Sequence, residues 1–321
     1  MKKAAKALGI IGATGTAAHL GFSYYAFRQV FGRNASLPNK IYENEKKKKN
    51  NGVVPPEDPR VTWMHEQNFT PYTIKNDRGE TLCGYYLEAE EKSDKFVLCS
   101  HGYRSRGKGE YRFISKFYHE NGYNIFLVDH TAAGDSEGKY ISFGYYESRD
   151  LLLWAKFLVE TFGSDIKIAL HGISMGCATV LMLAGNENLP ENVKFVISDC
   201  GYTSVRDQFE NVLRKKRIPT EPLITTAGLI NKAVCHYSLG EVRPIDCVRR
   251  TKLPMLFIHG GSDSLVPKEM ALEMYKLCPT DKDILIVEHA GHAESYQKDS
   301  EAYEKKILEF TEKYMGSDII A

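Results

Sequence analysis

Gly172-Ile173-Ser174-Met175-Gly176 constrains this chain more than any other stretch, because it joins the apolar run Ile166 to Leu170 to a helix-forming run beginning Cys177-Ala178-Thr179. A strand that passes directly into a helix must bend sharply at the serine between them. Glycine at both flanks suits that bend. The turn holds Ser174 in a strained conformation, and a Cβ at either flank would collide with the neighbouring strand or helix. Ser174 then stands at a helix N-terminus, where backbone N–H groups favour developing negative charge. With 26 glycines in 321 residues the bare pattern is a weak signal, and without the flanking strand and helix Ser174 would read as a turn serine.

A serine nucleophile needs a base, and an acid to orient that base. Met255 to Ile258 reads as a buried strand ending in His259-Gly260-Gly261-Ser262-Asp263, so Asp263 falls in the loop at the strand's carboxyl end. An α/β sheet gathers its functional groups there. The next apolar run, Ile284 to Val287, leads into Glu288-His289-Ala290-Gly291-His292, which puts His292 in the following loop. Two competitors stand beside this pair. His289 abuts the end of the apolar run and lacks a preceding glycine. Asp199 ends the strand Phe195 to Ser198, and the strand-end rule alone permits an acid at either Asp199 or Asp263. Asp129 reads as a structural carboxylate bonding local N–H groups. His101, His171 and His259 also end strands and read as packed or hydrogen-bonded side chains.

Apolar runs near 70–75, 81–88, 95–100, 123–129, 165–171, 193–199, 254–259 and 283–288 read as strands, with helical patterns near 109–121, 147–162, 174–185, 267–278 and 296–315 between them. This alternation predicts an α/β fold: a mostly parallel eight-stranded sheet with helices on both faces. Residues 1–60 read as an N-terminal apolar segment and a polar linker containing Pro55-Pro56, and 61–321 as the enzyme domain. Within it, residues 201–252 read as a short helical lid with helices Val205 to Lys216 and Leu223 to Cys235. Arg214, Lys215, Lys216 and Arg217 give the lid a solvated face, whereas Leu223, Ile224, Leu229 and Ile230 would pack on the sheet or line an acyl pocket.

The chain order Ser174, Asp263, His292 is that of the α/β-hydrolases. With His101-Gly102 after the strand Phe96 to Ser100, and the glycine-containing loop Asp129 to Gly138 after the strand Asn124 to Val128, the chain resembles an α/β-hydrolase of the serine esterase type. It is similar to the bacterial serine aminopeptidase-like group over about Thr70 to Tyr314 and departs from it at His130 to Ala133, where many relatives carry an arginine-glycine pair. The resemblance implies catalysis by Ser174, His292 and Asp263, with the backbone N–H groups of Met175 and Tyr103 as oxyanion donors. It implies hydrolysis of a carboxylic ester through an acyl-enzyme on Ser174. A peptidase or thioesterase on the same triad is the alternative, and a non-catalytic ligand-binding protein of the same fold a third.

The remaining composition narrows the partners. With 42 basic and 41 acidic side chains the formal charge is +1, which offers no global field for nucleic acid. A small-molecule acyl substrate is the expected partner, and no cofactor or metal is expected. The seven cysteines show no paired zinc spacing, no His-Glu-x-x-His helix occurs, and Gly9, Gly12 and Gly15 follow no strand that would make them a phosphate loop. The odd cysteine count, with several in core runs, reads as free thiols in a reducing compartment. Ala7 to Ala26 is mildly apolar and about 20 residues long, so a spanning anchor, a signal segment, an interfacial helix and a lysine-rich tail all stay open. Basic residues are denser after this stretch, at Arg28, Arg33, Lys40 and Lys46 to Lys49, than before it. If it contacts or spans a membrane, the catalytic domain is therefore expected on the cytoplasmic side; if not, the protein is expected in the cytoplasm.

Overall fold

Strands β1 (Thr70–Lys75), β2 (Thr81–Leu87), β3 (Lys95–Ser100), β4 (Asn124–Asp129), β5 (Lys167–Ile173), β6 (Val193–Asp199), β7 (Met255–Gly260) and β8 (Lys282–Val287) form one sheet in a computed structural model that describes residues 19–35 and 58–316. Their order across the sheet is β1-β2-β4-β3-β5-β6-β7-β8. The β1–β2 and β2–β4 pairings are antiparallel, and every pairing from β4 through β3 to β8 is parallel. All six residues of β3, β4 and β7 are buried, as a parallel sheet covered on both faces requires.

Side-chain alternation divides the core in two. On one face Phe96 and Leu98 of β3 pack with Trp154 of α5 (Tyr145–Phe162) and Val180 of α6 (Met175–Ala184). On the other, Val97 and Cys99 pack with Tyr118 of α4 (Ser115–Glu120) and Ile307 of α12 (Ser300–Met315). Each fully buried side chain of this size contributes about 1.5–3 kcal/mol, so the strands that carry the site are fixed by the core beneath them.

The expected helix over 109–121 is instead two short pieces, α3 (Gly107–Glu110) and α4, separated by turns at 111–114. The expected helix over 296–315 breaks at Asp299, whose carboxylate accepts from Ala302 N–H and starts α12 after the four-residue α11 (Ser295–Lys298). Between β6 and β7 run α7 (Val205–Lys215), α8 (Leu223–Cys235) and α9 (Pro244–Val248). Residues Arg214 to Arg217 are exposed, Ile224 is buried, and Leu229 is 64% exposed. Helix α10 (Lys268–Leu277) connects β7 to β8.

The amino-terminal readings change most. Residues 19–31 form helix α1, which continues past Ala26 and buries Ser23, Phe27 and Phe31 at every fourth position. Among the described residues, no helix is long and apolar enough to cross a membrane. The last residues of the expected linker belong to α2 (Pro59–Glu66), capped by the Asp58 carboxylate on Arg60 N–H and packed through Met64. Residues 7–18 of the apolar segment, the glycines within it, Lys46 to Lys49 and linker residues 50–57 lie outside the described residues.

Candidate active site

The tight passage from β5 into α6 determines everything at Ser174. Its φ of 56° and ψ of −113° are strained for a residue with a side chain, and its N–H is held by the Asp199 carbonyl at 2.8 Å. A Cβ on Gly172 would meet the Gly176 carbonyl oxygen at 2.2 Å, and one on Gly176 would meet the Ser100 carbonyl oxygen at 1.8 Å. Both glycines are therefore required where the sequence pattern has them, one against α6 and the other against the end of β3.

The loops after β7 and β8 bring the other two groups to the serine. His292 Nε2 lies 2.8 Å from Ser174 Oγ, and His292 Nδ1 lies 2.7 Å from Asp263 Oδ2. Asp263 Oδ1 accepts from Leu265 N–H at 2.8 Å and Val266 N–H at 2.9 Å, which leaves Oδ2 turned to the histidines. Burial would raise the Asp263 pKa, but the bonds to His259 and His292 overcome it and hold the carboxyl well below its usual range. His289 is exposed and stands apart from this chain of contacts.

Asp199, the competing acid, is engaged elsewhere. Its Oδ2 accepts from Tyr303 OH at 3.0 Å, its Oδ1 has no partner, and burial pushes its pKa up to about 6. His171 links Tyr118 and Tyr303 at 3.0 Å each, with its pKa pushed down to about 3 by burial. His101 Nδ1 donates to Gly102 O at 2.7 Å, while its Nε2 accepts from His130 N–H at 3.1 Å. Asp129 is structural: it accepts from Gly107 N–H at 2.8 Å, Asp135 N–H at 2.9 Å and Tyr85 OH at 3.2 Å.

The start of α6 and the loop after β3 border Ser174 with backbone. Met175 begins α6, and the first N–H groups of a helix have no acceptor within it. Gly102 is held through its N–H by Glu110 Oε2 at 3.1 Å, so the next residue, Tyr103, has a defined position beside the elbow. A Cβ on Gly102 would lie 3.5 Å from Ser174 Cβ, which shows how closely the loop passes the serine.

His259 is hydrogen-bonded as expected, but its approach to Asp263, the packing of His130 and the reach of α1 were not legible in the sequence. His259 Nε2 donates to Val266 O at 2.9 Å and also lies 3.4 Å from Asp263 Oδ2, so the acid serves two histidines. Burial opposes a proton on His259, yet the Asp263 carboxylate and Val266 carbonyl hold its pKa above the ordinary value. His130 lies in the loop where the resemblance breaks down and is fully packed, its Nε2 2.7 Å from Ser100 Oγ. Helix α1 reaches the loop after β3, a contact between residues more than seventy positions apart. Among the described residues no group of acidic, histidine or cysteine side chains has the arrangement of a metal site. Cavities of about 450 Å³ on the outer side of α12 and about 360 Å³ beside Arg106 and Asp129 are not lined by Ser174, Asp263 or His292.

The sequence profile of the prolyl oligopeptidase family matches residues 110–318, from α3 through the loops of Ser174, Asp263 and His292. The chain belongs to the prolyl oligopeptidase family. It is thus an α/β-hydrolase-fold member of a hydrolase superfamily. It is 29% identical to the YqkD protein of Bacillus subtilis over 77% of this chain and 80% of that one. It is 24% identical to the α/β hydrolase domain-containing protein 17C of Xenopus tropicalis over 73% and 68%. A Pyrococcus furiosus esterase, Pf2001, has the same fold with a TM-score of 0.65 at 21% identity, covering 82% of this chain and 97% of that one. An acylaminoacyl peptidase of Pyrococcus horikoshii gives 0.58 at 18% identity, with 83% of this chain matching 45% of that one.

Proposed function

We propose that this member of the prolyl oligopeptidase family is a serine hydrolase that cleaves a carboxylic ester of a small-molecule acyl substrate. The observation that carries the reading is the unbroken series Ser174 Oγ, His292 Nε2, His292 Nδ1 and Asp263 Oδ2, with both links under 3 Å. His292 takes the Ser174 proton as the oxygen attacks the acyl carbon, and Asp263 fixes the imidazole tautomer and stabilises the imidazolium. The N–H groups of Met175 and Tyr103 receive the oxyanion, helped by the positive end of α6. His292 then gives its proton to the departing alcohol, and water, activated by the same imidazole, releases the acid.

Ester cleavage asks least of such a site, because an alcohol leaves more readily than an amine. The peptidase alternative draws support from the family itself, whose name is that of a peptidase. A panel of esters, thioesters and aminoacyl amides tests the reading. Ester turnover well above amide turnover is expected, and Asp263→Asn is expected to lower kcat by about 10⁴ through loss of the correct tautomer. Faster turnover of aminoacyl amides than of esters would replace the ester reading with the peptidase one.

A further inference from the structure

Residues 19–35 precede the matched hydrolase core, yet they are bonded to the loops after β3 and β4. Arg104 follows the proposed oxyanion donor Tyr103 and is held at a φ of 58°, a left-handed conformation unusual for arginine. Its guanidinium donates to the carbonyls of Gln29 at 2.9 Å and Gly32 at 2.8 Å, at the carboxyl end of α1, where helix carbonyls lack partners. The Tyr103 hydroxyl donates to Val30 O at 2.7 Å and accepts from Arg104 Nε at 2.8 Å. On the opposite side, Arg33 donates to the carbonyls of Gly134 and Ser136 in the loop after β4, and Ile141 N–H donates to Phe31 O at 2.7 Å. At the helix start, His19 Nε2 lies 3.0 Å from Thr226 Oγ1 of α8.

This frame drives two aromatic rings inward. Phe31 packs edge-on against Phe143 and Phe209, with ring centres 5.3 and 5.9 Å away, and Tyr103 stacks on Phe143 at 5.1 Å. Phe27 and Phe31 belong to one apolar cluster with Met175, the residue after the nucleophile, and Val266 of the Asp263 loop. Phe31 is 1% exposed, so its ring is fully enclosed within the cluster that also holds Met175.

We infer that α1 is the acyl wall of the active site, with Phe31 as the specificity-determining residue that restricts the enzyme to short acyl groups and Arg104 as the positioning residue that hangs the wall on the oxyanion loop. The inference rests on Ser174 being the nucleophile and deepens the ester reading by naming the acyl class. Removing the Phe31 ring opens space between Phe143 and Phe209. Releasing Arg104 lets the carboxyl end of α1 swing away and relaxes the Tyr103 backbone.

Alkyl fluorophosphonates of increasing chain length test this on the full chain, because they read the wall whether or not the natural substrate is an ester. In wild type, the labelling rate at Ser174 should fall at least about tenfold from ethyl to octyl, the discrimination expected of a filled apolar site. Phe31→Ala should flatten that gradient, and Arg104→Gln should flatten it in part while also slowing the ethyl probe. Phe31→Leu, which keeps an apolar side chain, carries the test if the alanine variant melts out. Brisk labelling with an unchanged chain-length gradient in folded Phe31→Ala or Phe31→Leu would overturn the wall. Failure of every probe to label wild-type Ser174 would instead remove the reading on which the wall rests.

Discussion

Gly176 shows how a single hydrogen can decide whether an elbow forms. The position a Cβ would take there lies 1.8 Å from the Ser100 carbonyl oxygen and 2.5 Å from its carbon, and both are β3 backbone fixed by strands on either side. No rotamer change relieves such a contact. Gly176→Ala is therefore expected to cost at least about 3 kcal/mol, near the top of the range for overpacking. The cost would be read as a fall in the midpoint of denaturant unfolding, and an unchanged midpoint would mean that β3 and α6 can separate freely. Ser174 beside it has a backbone that costs on the order of 1–3 kcal/mol. The surrounding bonds, including that from its N–H to the Asp199 carbonyl, must offset that strain. The elbow motif was legible because its glycines answer to local sterics. The sharing of Asp263 between His292 and His259 was not, since nothing in a five-residue spacing says which way an imidazole at a strand end will turn.

Among the elements, β6 carries a second acid whose carboxyl group faces the interior. Asp199 is bonded through Oδ2 to Tyr303 on α12 and has no partner at Oδ1. Burial raises its pKa from an unfolded value of about 4 to about 6. Between those values the native state binds a proton that the unfolded chain releases, so folding stability declines as pH rises through the window. Above it, the cost of the buried charge is fully present. Asp199→Asn removes the ionisation, and its effect on stability should become more favourable by on the order of 2 kcal/mol between pH 4 and pH 8. Paired thermal melts at the two pH values measure this, and a difference that does not change with pH would contradict it. The strands themselves were readable to within two residues because their buried runs are continuous, as at Phe96 to Ser100 and Met255 to His259. The helices on either side of the sheet were less so. Apolar spacing continues across Asp299, but the aspartate caps the following turn and breaks one expected helix into two.

Across the whole molecule, the candidate site is a matter of convergence: the loops after β5, β7 and β8 leave the carboxyl ends of parallel strands, with β6 between β5 and β7, and those ends align by register. That convergence follows from the strand order, which is why Ser174, Asp263 and His292 could be matched across more than a hundred residues of sequence. Helix α1 could not. Its buried stripe of Ser23, Phe27 and Phe31 straddles the end of the mildly apolar Ala7 to Ala26 stretch and has no visible purpose until the partner surface of Phe143 and Phe209 is known. Covalent labelling by a fluorophosphonate, mapped by peptide mass spectrometry, measures most directly whether the three side chains act as one unit. We expect one adduct per chain on Ser174, none in Ser174→Ala, and labelling slowed at least about a thousandfold in His292→Ala. An adduct on another residue, or full-rate labelling of Ser174 in His292→Ala, would contradict it.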